Sequence, residues 1–159
     1  MTRRDGSGGR MKINKKQTLS WGVTGFGALC GLIAFCMIFV KAINTPYSLS
    51  ESFTGLQVAL GCSTSSGYAI FNPSAGLILA FVLPLVAACT AVIGKGYKIV
   101  TAVAAALMVA GGVLALCATY LFNPAITILT YSVGAGPIAS GALSLVGGVT
   151  LCASIFIKN

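Results

Sequence analysis

The amino-acid sequence predicts an all-α membrane protein: a four-transmembrane-helix antiparallel bundle with a small extracytoplasmic β-containing cap. Three observations carry that prediction. Apolar residues make up 57% of the 159 residues and charged ones 8%, against roughly 25% charged in an ordinary soluble domain, and mean hydropathy is +0.95. The apolar residues gather into four runs, each long enough at about 1.5 Å per residue to cross a hydrocarbon core of about 30 Å. Six of the ten Lys and Arg fall in the first sixteen residues, so the charge lies beside the apolar runs and not within them.

Residues 1–17 hold Arg3, Arg4, Arg10, Lys12, Lys15 and Lys16 among Gly and Ser without apolar periodicity, the composition of a disordered basic cytoplasmic tail. A nucleic-acid surface would need basic residues spread over a folded face with polar or aromatic readers between them, and the sequence past residue 16 offers none. Residues 18–159 form the four-span membrane domain. The first span, 19–43, carries Lys41 as its sole charge. A basic start before an apolar run also describes a secretory signal, but this run exceeds the roughly 7–15 residues of a signal's apolar region, so it reads as an uncleaved helix.

Pro46 and a Ser-rich run end that span and open the first outer loop, 44–73. Its segment 53–61, FTGLQVALG, fits a strand on an apolar surface or a short interfacial helix, and periodicity leaves both open. CSTSSG at 62–67 is a turn-rich polar tip. Asn72-Pro73-Ser74 reads as a helix start, because Asn or Ser can cap free amides and Pro suits the first turn. The second span, 74–94, has no charge and carries Pro84 near its middle, where loss of a backbone hydrogen bond should kink the helix, with packing as the expected purpose.

Gly94-Lys95-Gly96-Tyr97-Lys98 is a tight basic turn into the third span, 99–122, so these two spans form a helical hairpin. The second outer loop, 123–136, contains ITILTYSVG at 126–134, a β-branched alternating run that predicts a strand. Joined to the first loop, it predicts a small outer sheet over the bundle. Phe-Asn-Pro occurs at Phe71-Asn72-Pro73 and again at Phe122-Asn123-Pro124, which reads as two helix boundaries at one interface. Along the fourth span, 137–157, and the residue before it, Gly136, Ser140, Ser144, Gly148 and Cys152 recur every four residues. Helices in lipid associate by close packing, which such a small-residue stripe permits.

With the amino terminus cytoplasmic and four spans crossed, nine of the ten Lys and Arg lie inside and Lys41 alone lies outside. The expected location is therefore the plasma membrane, multi-pass, with both termini cytoplasmic. Catalysis loses most of its parts: there is no His, and Asp5 and Glu51 are the only acids, so general acid–base work and metal hydrolysis lack their groups. No two of the six Cys are spaced as CxxC, and five lie in apolar spans, where Cys behaves as a small hydrophobe and packing is the expected role. Cys62 stands alone in the outer loop.

The order of a basic start, an apolar span, an outer loop with Phe53-Thr54-Gly55-Leu56-Gln57-Val58-Ala59-Leu60-Gly61, then Asn-Pro-small and a hairpin with a Lys-rich turn resembles uncharacterised small four-span membrane proteins of bacteria. The topology is also similar to claudin-like and other tetraspan proteins, which carry an outer sheet on four helices. The claudin motif is not matched: Gly55-Leu56 is followed by Gln57, and Cys62 has no companion in the loop. The resemblance brings no activity.

The functional expectation is a non-enzymatic protein, without cofactor or nucleic-acid partner, that acts structurally or by interaction. Its surroundings are the lipid bilayer, and its contact would be a membrane or envelope protein or another copy. The candidate contact residues are Phe53, Leu56, Gln57, Tyr68, Phe71 and Tyr131. The alternative is an oligomeric channel or small-solute pathway built around the stripe of the fourth span.

Overall fold

The computed structural model describes residues 15–44, 53–63, 69–94, 97–122, 124 and 132–157. Four helices among them are long and apolar enough to cross a membrane: α1 (Lys15–Cys36), α3 (Ala75–Ile93), α4 (Lys98–Leu116) and α6 (Ala135–Ile157). Shorter elements stand between them: β1 (Lys41–Asn44), β2 (Phe53–Thr54), α2 (Gly55–Leu60), β3 (Cys62–Ser63), β4 (Ala69–Phe71), α5 (Ala118–Leu121) and β5 (Ser132–Val133). Residues 1–14 of the expected tail and 126–131 of the expected strand fall outside the described residues, while residues 15–17, expected in the disordered tail, form the first turn of α1.

The long helices form a closed ring in which α1 packs on α3 and α6, and α4 packs on α3 and α6. Residue pairs run in opposite directions along each contact. Between α1 with its 3₁₀ turn and α6, Gly27 lies against Leu151 and Gly136 against the Met37 carbonyl; between α3 with its C-cap and α4 with α5, Gly94 lies against Val100, Pro84 against Gly111 and Gly76 against Leu121.

On α1 and α6 small residues take most of the inner positions and most large ones face outward, while Phe81, Met108 and Leu151 are the large side chains buried in the long helices beside Leu77. Ser20, Thr24, Gly27, Gly31 and Ala34 are buried on α1, while Leu19, Trp21, Phe26, Leu29 and Ile33 of the same helix are exposed. The same division holds on α6, where Gly136, Ser140, Gly141, Ser144 and Gly147 are inside and Ile138, Val146, Val149 and Phe156 are outside. A soluble bundle buries its large side chains. Helices long and apolar enough to cross a membrane associate in lipid through close backbone approach, which small inner residues permit.

Met108 fills the centre. A methyl added at Gly31 would stand 2.6 Å from Met108 Cε and 2.7 Å from the Pro84 carbonyl oxygen, and one added at Gly147 would stand 3.0 Å from the same Cε. The unbranched thioether thus crosses from α4 to the glycines of α1 and α6, a gap-filling role that suits methionine. Pro84 lies inside the continuous helix α3, and its ring packs where a methyl at Gly111 would clash at 2.7 Å.

The first span is shorter than the apolar run that predicts it. After α1, a 3₁₀ turn at Met37–Phe39 leads to extended backbone at Val40, and Lys41–Asn44 becomes β1 instead of the last turn of a helix. β1 is the middle strand of a three-stranded sheet, antiparallel to β2 through Lys41↔Thr54 and Ile43↔Phe53, and to β5 through Ile43↔Val133 and Asn44↔Ser132. Pairing on both edges gives its backbone groups partners in place of the helical bonds the run gives up. β3 and β4 form a second, two-stranded sheet. The third span is likewise divided, into α4 and the single turn α5, at Cys117.

Candidate functional site

The short elements, the 3₁₀ turn Met37–Phe39 included, sit at one end of the bundle, where α1 and α4 finish and α3 and α6 begin. This sheet region is built on its own core of Ile43, Phe53, Val58, Ala59, Ile70, Phe71, Leu77 and Ala118. The rings of Phe53 and Phe71 meet edge to face, with centroids 5.7 Å apart and planes at 73°, a geometry favoured by the aromatic quadrupole. Leu77 of α3 and Ala118 of α5 belong to the same cluster, so the aromatic pair fastens the region to the helix ends.

The open segment 53–61 resolves into β2 and α2 through Thr54. Its hydroxyl accepts from the Gln57 amide at 3.4 Å, and the Gln57 side chain accepts from the Thr54 amide at 2.9 Å, a reciprocal capping box. The T-x-x-Q spacing was present in the sequence and distinguishes helix from strand here. Gly55 opens α2 against the carbonyl of Ile38, where a Cβ would sit 2.9 Å from the oxygen. Gly61 closes it with φ +86°, a conformation that side chains other than glycine's disfavour. Between these glycines α2 buries Val58 and Ala59 and turns Leu56, Gln57 and Leu60 outward.

The two Phe-Asn-Pro segments lie side by side. Phe71 forms a β-bridge with Pro124, and the Ser74 hydroxyl donates to the Leu121 carbonyl at 2.7 Å. Ser74 occupies the N-cap position of α3 but makes no side-chain cap bond; its hydroxyl stitches α3 to α5 instead, while its amide donates to Ala59 at 3.0 Å.

The candidate contact residues therefore divide. Phe53 and Phe71 are buried in the core of the region, where they hold it together and present no surface. Leu56 and Gln57 are exposed, with Leu60, which sequence reasoning did not single out, more exposed than Leu56. Tyr68 and Tyr131 lie outside the described residues.

In the stripe of the fourth span, Gly136, Ser140, Ser144 and Gly148 are buried. Ser140 donates to the Ala34 carbonyl of α1 at 2.9 Å, and a methyl at Gly148 would meet Val109 of α4 at 2.7 Å. Cys152 is exposed, and Leu151 and Ser154 take the inner positions at that level. A spacing of four overshoots the 3.6-residue turn, so an every-fourth-residue row winds off the buried face. Of the cysteines in the apolar spans, Cys30 is buried and Cys36, Cys89, Cys117 and Cys152 face outward, so the packing role expected of all five holds inside the bundle for Cys30. Cys62 is half-buried.

No family model matches the chain, and neither a curated protein nor a solved structure matches it.

Proposed function

We propose that the chain is a multi-pass protein of a bacterial plasma membrane, with both termini cytoplasmic, and that its role is non-enzymatic: contact with a membrane or envelope partner through the sheet region, which forms an outer cap. The observation that carries this reading is the outward face of α2. Leu56 and Leu60, one helical turn apart with Gln57 between them, stand exposed together on a unit with its own apolar core, and contiguous exposed apolar surface marks contact sites. The orientation is supported by charge. Lys15, Lys16, Lys95, Lys98 and Lys158 belong by sequence to the end opposite the sheet region, and Lys41 to the sheet end, the asymmetry expected of a cytoplasmic and an outer side. Exposed Trp21 and Tyr97 near the first end and Tyr120 at the second suit the two aromatic belts of a bilayer. Contact is favoured over a solute pathway because Met108 fills the bundle centre and the small residues of α6 are already covered by α1 and α4.

A photoreactive residue at Leu60 should yield a discrete crosslinked product in intact cells, and Leu56→Ser combined with Leu60→Ser should remove a product trapped from a neighbouring position. Absence of any product with the protein correctly inserted would end the contact reading. For orientation, an impermeant maleimide added to intact cells should label Cys62, and an exposed Ser63→Cys more fully; labelling only after the cytoplasmic side is opened reverses the topology.

A further inference from the structure

We propose that the groove between α1 and α3 seats an acyl chain of an anionic phospholipid from the surrounding bilayer, with its headgroup against the basic end of the bundle. The proposal rests on the membrane placement above and is independent of the partner contact. The groove encloses about 420 Å³ and is lined by Gly25, Leu29 and Leu32 of α1 and by Leu85, Cys89 and Val92 of α3, among others. The next two glycines along α1 are in close contact: a methyl at Gly27 would strike Leu151 at 2.8 Å, and one at Gly31 would strike Met108 at 2.6 Å. A methyl at Gly25 would meet nothing within 4 Å. The gap thus lies where the two helices part, open to the outside of the ring and within the apolar depth of both spans. Water is a poor occupant, since an ordered water needs two to four polar partners and the lining side chains are apolar or thiol. A hydrocarbon chain has no such need.

Charge selects the headgroup. The groove runs from Leu32 and Leu85 toward Gly25 and Ile93, the end at which α1 begins, α3 stops and α4 opens with Lys98. α1 opens with Lys15 and Lys16, and the only acids of the chain are Asp5 in the tail and Glu51 by sequence at the opposite end. A lipid entering from this end leaves its headgroup at the end of the bundle that carries these lysines by position, and each basic residue near the surface favours an anionic headgroup by roughly fivefold. A second copy seated in parallel would instead bring two sets of lysines together.

The test uses the full chain in detergent, exposed to equal amounts of phosphatidylglycerol and phosphatidylcholine with the same acyl chains and read by native mass spectrometry. Phosphatidylglycerol adducts should exceed phosphatidylcholine adducts by roughly fivefold or more. Gly25→Phe, and separately Cys89→Phe, should remove the adduct with thermal unfolding unchanged, whereas Gly22→Phe, also in open space but outside the groove lining, should retain it. Replacing Lys15, Lys16 and Lys98 together by Gln should abolish the headgroup preference. Equal adducts of the two lipids, an adduct that survives both groove-filling variants, a preference that survives loss of the three lysines, or a dimer dissociated by Gly25→Phe would overturn the proposal. Carbonate extraction separates the two readings: protein that stays with the membrane yet carries no adduct defeats the lipid site alone, and protein released by carbonate defeats the membrane placement.

Discussion

The bundle and the sheet region differ in the residues that pack them. Where α1 meets α6 the buried positions are mostly small, Gly27, Ala34, Ser140 and Gly147 beside Leu151; beneath β1 and α2 they include the larger Ile43, Phe53, Ile70 and Phe71. The difference follows from what each unfolded alternative would touch. A large apolar side chain on a membrane helix is already among lipid tails and gains little by turning inward, so the interior selects residues that let backbones approach. On the placement proposed above, the alternative for the sheet region is water, and burial of an aromatic ring yields the usual gain of about 25 cal/mol per Å². Enlargement should therefore damage the bundle, and truncation should damage the sheet region.

The largest effect expected is from truncation. Phe71→Ala removes one ring of the edge-to-face pair and should cost about 3–5 kcal/mol, read as lost hydrogen-exchange protection at Ile43 and Val133 while α1 and α6 stay protected. Enlargement comes next. Gly31→Leu drives a side chain into Met108 and the Pro84 carbonyl and should destabilise the bundle by about 1–3 kcal/mol in thermal unfolding in detergent, whereas Gly22→Leu, with nothing within 4 Å, should be near neutral. Equal tolerance of the two leucines would mean that the bundle is not close-packed at Met108, and the contrast would fail.

Smaller changes sharpen it. Thr54→Ala removes both hydroxyl bonds of the capping box and should cost about 1 kcal/mol, confined to exchange within α2. Ser140→Ala loses the bond to Ala34 at about 0.6 kcal/mol, the usual yield of a hydrogen bond between membrane helices. A larger loss at Ser140 than at Thr54 would place polar stitching above close packing in this bundle.

Much of this contrast was legible in the residues, and the exceptions have particular causes. All four spans stand where the apolar runs are, and the paired Phe-Asn-Pro segments do meet, through Phe71 and Pro124. The end of the first span was hidden because Met37 to Ile43 has no polar break apart from Lys41, and nothing local distinguishes a last helical turn from a strand. Thr54 and Gln57 carried a readable cap signal. Phe53 and Phe71 carry none for direction, since a segment of undecided period has no defined inner face, and the sequence therefore does not distinguish the aromatic anchor from surface.

The sequence by itself determined which segments are apolar enough to leave water and which end of the molecule is basic, because both are sums over neighbouring residues that need no partner. Only the tertiary structure decided that Lys41–Asn44 is a strand, that Phe53 and Phe71 point inward, and that Gly25 borders a groove while Gly31 is filled by Met108. Each of those depends on a group far along the chain: Val133 beside Ile43, Leu77 and Ala118 in one core with the two phenylalanines, and Met108 opposite Gly31. Close packing and strand pairing are properties of meetings between distant segments, and their outcome is written in no single one.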